Sequence, residues 1–343
     1  MTKFGNKDLT LLLLVKDRPL FLKRWIKFHL KKNNDINLHI ADGGKNSIFK
    51  EDLLFLKSKK NIKYYKYKYD KDYKSFVKKV FLALKKIKTK YVLFCSDDDF
   101  LNFEAIFKAK NILKKEKYLS AISGKYISFQ GYNKFNRIYS QPSGLSFMYN
   151  QKCLFYRDSY KRVQNFFNNH PYGVFHYLMP TKLLKKTYEK ALKSKIYNAD
   201  LLDLFINIFI YSKIKIIKHN SVFHMHQYHA ESEAHNRDYY ILLNKKFTYE
   251  INEMIKILSK EIKVNRDILR EDVKAFIGKG SQKNPKSLFL TNIKNLIINK
   301  LVFKFLQNYY LRKLHIEKEN FKKKYLKNIN DNDFIDRVYR FFV

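Results

Sequence analysis

Along the first hundred residues, short apolar runs alternate with longer stretches whose apolar side chains recur every three or four positions. The runs at Asp8–Val15, Asn37–Ala41, Ile62–Tyr67 and Tyr91–Cys95 have strand length and are rich in aliphatic and aromatic side chains. Between them, Pro19–Lys32, Ile48–Ser58 and Tyr73–Ile87 carry helical spacing. Pro19 stands near the start of its helix, where a missing N–H leaves no bond unmade. Asp42-Gly43-Gly44 is a turn signal at the end of the second strand. This β-α-β-α-β-α-β alternation predicts an α/β fold, a mostly parallel sheet flanked by helices.

After Asp99 the pattern changes. Tyr126–Phe129, Arg137–Tyr139, Val174–Met179 and Ser221–His226 read as further strands, with Gln141–Asn150 a loop because of Pro142 and Gly144. Helices are expected from Asn102 to Lys114, from Thr181, and from Leu201 to Tyr211. From Asp238 onward the pattern is almost wholly helical, with a break at Gly278–Pro285.

Within this frame Tyr91–Asp99 stands out, because a buried strand delivers Asp97, Asp98 and Asp99 in succession. Three adjacent anions repel one another, and the chain is poor in acid: 70 Lys+Arg oppose 31 Asp+Glu, a formal net charge of +39. Ligands of open α/β sheets bind beyond the carboxyl ends of strands, and hard divalent cations prefer carboxylate oxygen. Taken alone, the triplet fits a metal-assisted phosphate site and an acidic turn capping the next helix equally well. The basic excess is mostly Lys, in company with abundant Asn, Ile, Phe and Tyr, as A/T-rich codons favour. It still suits an anionic partner, whether nucleic acid, acidic lipid or an anionic sugar donor. Cys95 and Cys153 form no disulfide framework. No apolar run has the length and cleanness of a membrane span, so a cytoplasmic location is expected.

Three stretches together resemble the GT-A glycosyltransferases of the family-2-like group. Leu9–Leu22, with its Asp17-Arg18-Pro19 turn, is similar to that family's opening strand, turn and helix. Leu38–Gly44 is similar to its second strand, and Thr89–Asp99 to the strand ending in its DXD motif. The resemblance spans residues 1–130 and implies a GT-A (nucleotide-diphospho-sugar transferase) fold with a helical C-terminal extension. It implies a catalytic domain over 1–236, its nucleotide-sugar half at 1–130 and acceptor half at 131–236, followed by a helical basic region at 237–343. It further implies that Asp17, Arg18, Asp42, Asp97 and Asp98 contact the nucleotide-sugar donor. Asp97 and Asp99 would hold a divalent metal, Mn²⁺ or Mg²⁺, which neutralises the diphosphate leaving group. The acceptor would be a glycan or glycolipid in cell-envelope or capsular polysaccharide synthesis, with inversion at the sugar carbon.

An inverting transfer needs a base for the acceptor hydroxyl. Asp200 and Asp203 lie in the part of the chain where the family carries one and share a helix face, though its usual Glu-Asp pair is absent. Asp200 can instead be the N-cap of the helix that follows. His224 and His226 fall on one face of an expected strand, as extra metal ligands or as polar loop histidines. Glu231, Glu233, His235 and Arg237 are further candidates to line an acceptor cleft. The only tryptophan is Trp25, so the Gln-x-x-Arg-Trp signature of processive relatives is missing, which favours one sugar per encounter. In the tail, Ile293, Leu296, Ile297 and Leu301 form an apolar stripe beside Lys294, Lys300 and Lys304. That pattern suits peripheral contact with an anionic membrane, at the inner face of the cell membrane, and equally a docked surface helix. Two rivals stand. A nucleic-acid-binding protein explains the charge but not the Asp triplet. A sugar nucleotidyltransferase explains the acid but requires a Gly-rich phosphate loop that Lys16-Asp17-Arg18-Pro19 lacks.

Overall fold

The computed structural model of the chain describes residues 7–30, 36–131, 142–147, 156–169, 174–228, 239–279, 312–326 and 329–342. The first hundred residues form β1 (Leu9–Val15), α1 (Pro19–His29), β2 (Leu38–Asp42), α2 (Lys50–Lys57), β3 (Ile62–Lys66), α3 (Tyr73–Lys86) and β4 (Tyr91–Ser96). These are the elements the apolar pattern predicts, shifted by a few residues at their ends. β1, β2, β3 and β4 are parallel, in the order β3-β2-β1-β4.

Both faces of β1, β2 and β4 are covered. Leu12 and Leu14 of β1 join Val92 and Phe94 of β4 in one core, while Leu11, Leu13 and Val15 join Leu93 and Cys95 in the other. The period-two alternation of side chains therefore sorts every second residue to opposite layers, and a strand buried on both faces reads as a continuous apolar run. α3 presents Val77, Val80, Ala83 and Leu84 to the first core, and the Asp72 carboxylate caps it by accepting from Ser75 N at 2.7 Å.

The second half completes a nine-stranded sheet in the order β3-β2-β1-β4-β8-β6-β9-β5, with β7 paired to β6. Its elements are β5 (Asp99–Leu101), α4 (Phe103–Lys115), β6 (Ser120–Gly131), β7 (Pro142–Phe147), α5 (Ser159–Asn169), β8 (Leu178–Pro180), α6 (Thr181–Lys193), α7 (Ala199–Lys213) and β9 (Lys215–Tyr228). β6 and β9 run parallel over most of their length; β4–β8, β6–β8, β6–β7 and β5–β9 are antiparallel. The fold is thus a mostly parallel α/β sheet with its antiparallel pairs in the second half. Where the β6–β9 register shifts, Gly124 lies against the Phe223 ring, which occupies the space any Cβ would need.

Several local expectations are corrected. Gln141–Asn150 is not all loop, because Pro142–Phe147 pairs with β6. Pro142 lacks an N–H but begins a strand that, among the described residues, pairs with β6 alone, where that donor is dispensable. Val174–Met179 is not one strand. A 3₁₀ turn occupies Val174–His176, held where Val174 N donates to Asn207 Oδ1 at 2.9 Å, and pairing with β4 begins only at Leu178. The N-cap of α7 is Asn198, which accepts from Asp200 N at 2.9 Å and Leu201 N at 3.0 Å, so Asp200 sits in the first turn. The strand expected at Arg137–Tyr139 lies outside the described residues.

Toward the C-terminus, α8 (Thr248–Ile262) and α9 (Arg266–Lys279) pack into the first core. α9 continues through Gly278, so the expected break does not begin there. Helical residues 312–325 (α10) and α11 (Ile329–Phe342) pack on β5, β6 and β9 through Phe321, Phe334, Ile335 and Val338. α11 is pinned where the buried Asp331 carboxylate accepts from Val222 N at 2.9 Å. Among the described residues no helix is long and apolar enough to cross a membrane. The stripe Ile293–Leu301 with Lys294, Lys300 and Lys304 falls outside them.

Candidate metal and donor site

The sheet order places β1 between β2 and β4, so the chain leaves β1 in one direction and returns past it to β4. The carboxyl ends of β1 and β4 therefore flank a topological switch point, where open α/β sheets form their ligand crevices. Asp17 and Arg18 follow β1, Asp42 ends β2, and Asp97–Asp99 follow β4.

Asp17 clips the first two of these ends together. It adopts a positive φ of 51°, a conformation Asp tolerates better than most residues. Its Oδ1 accepts from Lys45 N at 2.5 Å and Asn46 N at 2.9 Å, and its own N–H donates to Ser47 Oγ at 2.9 Å. Asp42 is fully buried. Its carboxylate accepts from Gly44 N at 2.7 Å, Ser47 Oγ at 2.6 Å, Lys66 Nζ at 2.8 Å and the Tyr64 hydroxyl. Burial opposes the Asp42 charge, but these donors hold its carboxyl below the ordinary range. Beneath the loop a buried Asp70–Lys79 ion pair touches Gly43, and Lys79 also donates to Val15 O at 3.3 Å. These contacts make Asp17 and Asp42 the frame of the loop at 43–47.

The triplet itself is buried, with Asp97, Asp98 and Asp99 at most 3% exposed. Arg18 Nη1 donates to Asp98 Oδ2 at 3.0 Å, and its Nη2 to Asp97. Burial is the largest influence on Asp97 and raises its carboxyl against the pull of Arg18. Arg18 is held above its ordinary value, because Asp97 and Asp98 overcome the cost of its burial.

Asp99 is not the end of a turn but the first residue of β5, directly opposite His226 on β9. His226 Nδ1 lies 2.9 Å from Asp99 Oδ1 and 3.7 Å from Asp98 Oδ1. A carboxylate only accepts, so Nδ1 donates and the other ring nitrogen keeps its lone pair when the imidazole is neutral. Burial raises Asp99, yet the His226 bond and the neighbouring imidazoles hold it below its ordinary value. His226 is correspondingly raised, the two carboxylates outweighing burial. Ser96 N donates to Asp99 Oδ2 at 3.1 Å, and His176 Nδ1 approaches the same oxygen at 3.7 Å.

His224, two residues before His226 on β9, is 1% exposed. Among the described residues neither of its ring nitrogens, nor His176 Nδ1, nor Asp97 Oδ2 reaches a partner with good hydrogen-bond geometry. Burial lowers His224 to about 3 and His176 to about 4, so both are neutral near pH 7. The Tyr126 ring lies among all three imidazoles, with centroids 4.5 Å from His176, 5.6 Å from His224 and 5.8 Å from His226. Unpaired buried polar atoms are costly, and neutral imidazoles beside a carboxylate are good cation ligands. The residues present therefore fit a divalent cation. Asp98, Asp99 and His226 form one group able to hold it, and Asp99, His176 and His224 a second, each with its donor atoms within 4.8 Å of one another. Of the residues expected as ligands, Asp99, His224 and His226 fall in these groups, while Asp97 faces Arg18.

Asp200 and Asp203 lie in the first two turns of α7. Asp203 Oδ1 accepts from the Tyr73 hydroxyl at 3.1 Å, and its Oδ2 from Asn207 Nδ2 at 3.1 Å. Asn207 in turn accepts from Val174 N, two residues before His176. His176 and Tyr126 are site residues that sequence reasoning missed: both sat in expected strands with no motif, and the one available signal was a polar residue in an apolar run. Glu231, Glu233, His235 and Arg237 lie outside the described residues.

No protein-family model matches the chain, and no curated protein matches it. Among solved structures, it is similar to S. aureus TarS 1–349, with 12% identity and a TM-score of 0.47 over 97% of this chain and 90% of that one. The same S. aureus fragment in complex with UDP-GlcNAc gives 13% identity and a TM-score of 0.48 over the same shares. S. aureus TarS itself gives 13% identity and a TM-score of 0.45, over 97% of this chain and 55% of that one.

Proposed function

We propose that this chain is a metal-dependent glycosyltransferase that moves a sugar from a nucleotide-sugar donor to a glycan or glycolipid acceptor. The observation that carries the reading is the buried Asp97–Asp99 cluster at the switch point, held between Arg18 and His226 and beside the neutral imidazoles of His176 and His224. A cation bound there supplies charge stabilisation to a diphosphate leaving group. Asp98, Asp99, His224 and His226 would hold it. Arg18 orients Asp97 and Asp98 and adds positive charge beside the phosphates, and Asp17 and Asp42 shape the loop that receives the nucleoside. The fold carrying these residues is taken as GT-A, with a catalytic part at 1–236 and a helical basic part after it.

Asp200 is the proposed base for the acceptor hydroxyl, with Asp203 the alternative. Asp203 accepts from Tyr73 and Asn207. The reaction is taken as inverting, with one sugar per encounter, on a cell-envelope or capsular glycan at the inner membrane face. The net charge of +39 favours the rival reading of nucleic-acid binding, which leaves the Asp–His cluster without a task.

Calorimetric titration of UDP-, GDP- and CMP-sugars with and without Mn²⁺, on wild type and Asp99→Asn, tests the reading. Metal-dependent binding of one donor, lost in the variant, supports it. Folded wild-type protein that binds no donor but binds DNA or RNA in a salt-sensitive way sinks it. Asp200→Asn should then abolish turnover while leaving donor binding unchanged.

A further inference from the structure

Two short 3₁₀ turns, Tyr239–Leu243 and Lys245–Phe247, precede α8. Leu242 is fully buried in the first core, and Phe247 packs partly buried against it. With three residues per turn, the neighbours of an inward residue point outward, and Ile241 and Leu243 are 52% and 45% exposed. Lys245 and Lys246 follow, both exposed, and then Tyr249 at 61%. The turns are closed by their own bonds. Asn244 N donates to Ile241 O at 3.1 Å, Lys246 N to Asn244 Oδ1 at 3.1 Å, and Phe247 N to Asn244 O at 3.0 Å. Large apolar side chains exposed singly are ordinary, but a close series of them beside lysines marks an interaction surface.

The surface lies at the end of the molecule that carries the crevice. Glu250, next to Tyr249, accepts from Tyr197 N at 2.6 Å and Asn198 N at 2.8 Å, so the segment meets the start of α7. Tyr197 is itself 67% exposed and stands three residues before Asp200. The Tyr73 hydroxyl, at the start of α3 just after β3, donates to Asp203 at 3.1 Å. The start of α7 is therefore at the carboxyl ends of the strands, as the Asp97–Asp99 cluster is.

We propose that Tyr197, Ile241, Leu243, Lys245, Lys246 and Tyr249 form a seat for an anionic lipid bilayer. The aliphatic side chains enter the acyl boundary and the tyrosines take the headgroup level. The lysine heads meet acidic phosphates while their stems stay against apolar surface. Charge complementarity selects this occupant. A nucleic acid would use the lysines but leave Ile241 and Leu243 in water. A second copy docked by the same face would set lysines against lysines, in a chain whose net charge is already +39. Glu250 does not offset the lysines at the surface, because its carboxylate is turned to the two N–H groups before α7. The seat stands on its own residues; its use, bringing a lipid-borne acceptor to Asp200, rests on the transferase reading.

The test is flotation of the full chain with vesicles of phosphatidylcholine and phosphatidylserine, and with phosphatidylcholine alone. Wild type should float with the anionic vesicles, less so as salt rises, and bind the neutral ones at least about tenfold more weakly. Ile241→Ser with Leu243→Ser and, separately, Lys245→Ala with Lys246→Ala should each weaken anionic-vesicle binding by at least about tenfold. Their thermal midpoints should match wild type, because all four side chains are exposed. Ile241→Trp adds a reporter. Trp25 is 1% exposed, so a blue shift of emission on adding vesicles comes from position 241. Binding that survives in both paired variants overturns the seat, as does Ile241→Trp that floats without a shift, or wild type that stays off anionic vesicles. Dimers abolished by Ile241→Ser with Leu243→Ser, in a chain that binds no vesicles, would overturn it in favour of a second copy. Failure of the transferase reading shows differently: vesicle binding through these residues without affinity for any nucleotide-sugar would uphold the seat and refute the donor.

Discussion

Asp99 and His226 stand directly opposite each other across the antiparallel β5–β9 pair, with His226 Nδ1 2.9 Å from Asp99 Oδ1. The pair joins a carboxylate from the first half of the chain to an imidazole from the second, and its register decides which acid of the triplet meets the histidines. Asp99→Asn keeps the shape and the bond from Ser96 N while removing one of three adjacent charges. It also gives up the charge that His226 holds, and since the fold keeps the Asp99 carboxyl below its ordinary value, the thermal midpoint without added cation should fall. The upward shift that a bound cation gives wild type should disappear, as scanning calorimetry with and without Mn²⁺ would show.

Arg18 bridges Asp97 and Asp98, and its loss removes the guanidinium that contacts both buried carboxylates. Removing one partner of a buried ion pair costs about 3–5 kcal/mol. Arg18→Met should lower stability by about 3 kcal/mol in urea unfolding, at the lower end because Arg18 is partly exposed. Arg18→Lys should recover only part, since an ammonium cannot reproduce the two-pronged contact.

His29 is a strut under the site. Its Nε2 accepts from Leu101 N at 2.9 Å on β5, and its Nδ1 donates to Trp25 O at 2.9 Å. Both nitrogens are thus engaged in the neutral form, and protonation would set an N–H against the Leu101 N–H. Burial lowers His29 to about 3. A folded-state value below the unfolded one, about 6.5, means that the stability tied to neutral His29 is fully present above pH 6.5 and drains away as pH falls toward 3, by about 1.4 kcal/mol per unit. His29→Gln should lose some stability at pH 7 but show a shallower decline between pH 6 and 4, measured by urea unfolding at each pH.

Asn207 is a buried polar residue in the apolar middle of α7, 4% exposed. Asn207→Leu would improve local helix propensity but orphan the Val174 N–H, at about 1–3 kcal/mol. Chemical unfolding should report that loss. Mn²⁺ affinity should fall with it, because the turn carrying His176 is released; unchanged affinity would show that the turn needs no such anchor.

At Gly43 any Cβ would overlap the carboxylate of the buried Asp70, which cannot swing away without breaking its pair with Lys79. Gly43→Ala should cost about 1–3 kcal/mol as overpacking, and hydrogen exchange should quicken at Asp70 N, which donates to Gly43 O, and at Gly43 N, which donates to Val15 O of β1.

The alternation of buried runs and amphipathic stretches determined β1 to β4 and their helices. Each element there is local, and a strand covered on both faces or a helix with one apolar stripe announces itself through period alone. The Asp triplet, too, was legible as an anomaly in a chain so rich in Lys. Tertiary structure alone decided what the triplet meets. β5 is three residues long and exists because β9 pairs with it, so no periodicity could reveal it. β7 formed where Pro142 and Gly144 suggested loop, because an edge position forgives a missing donor. His176 entered the site through a turn held by Asn207 from another helix, and Asn198, not Asp200, capped that helix. Sequence periodicity records which face of an element is buried; it does not record which distant residue is buried against it, and a metal site is made of such distant pairs.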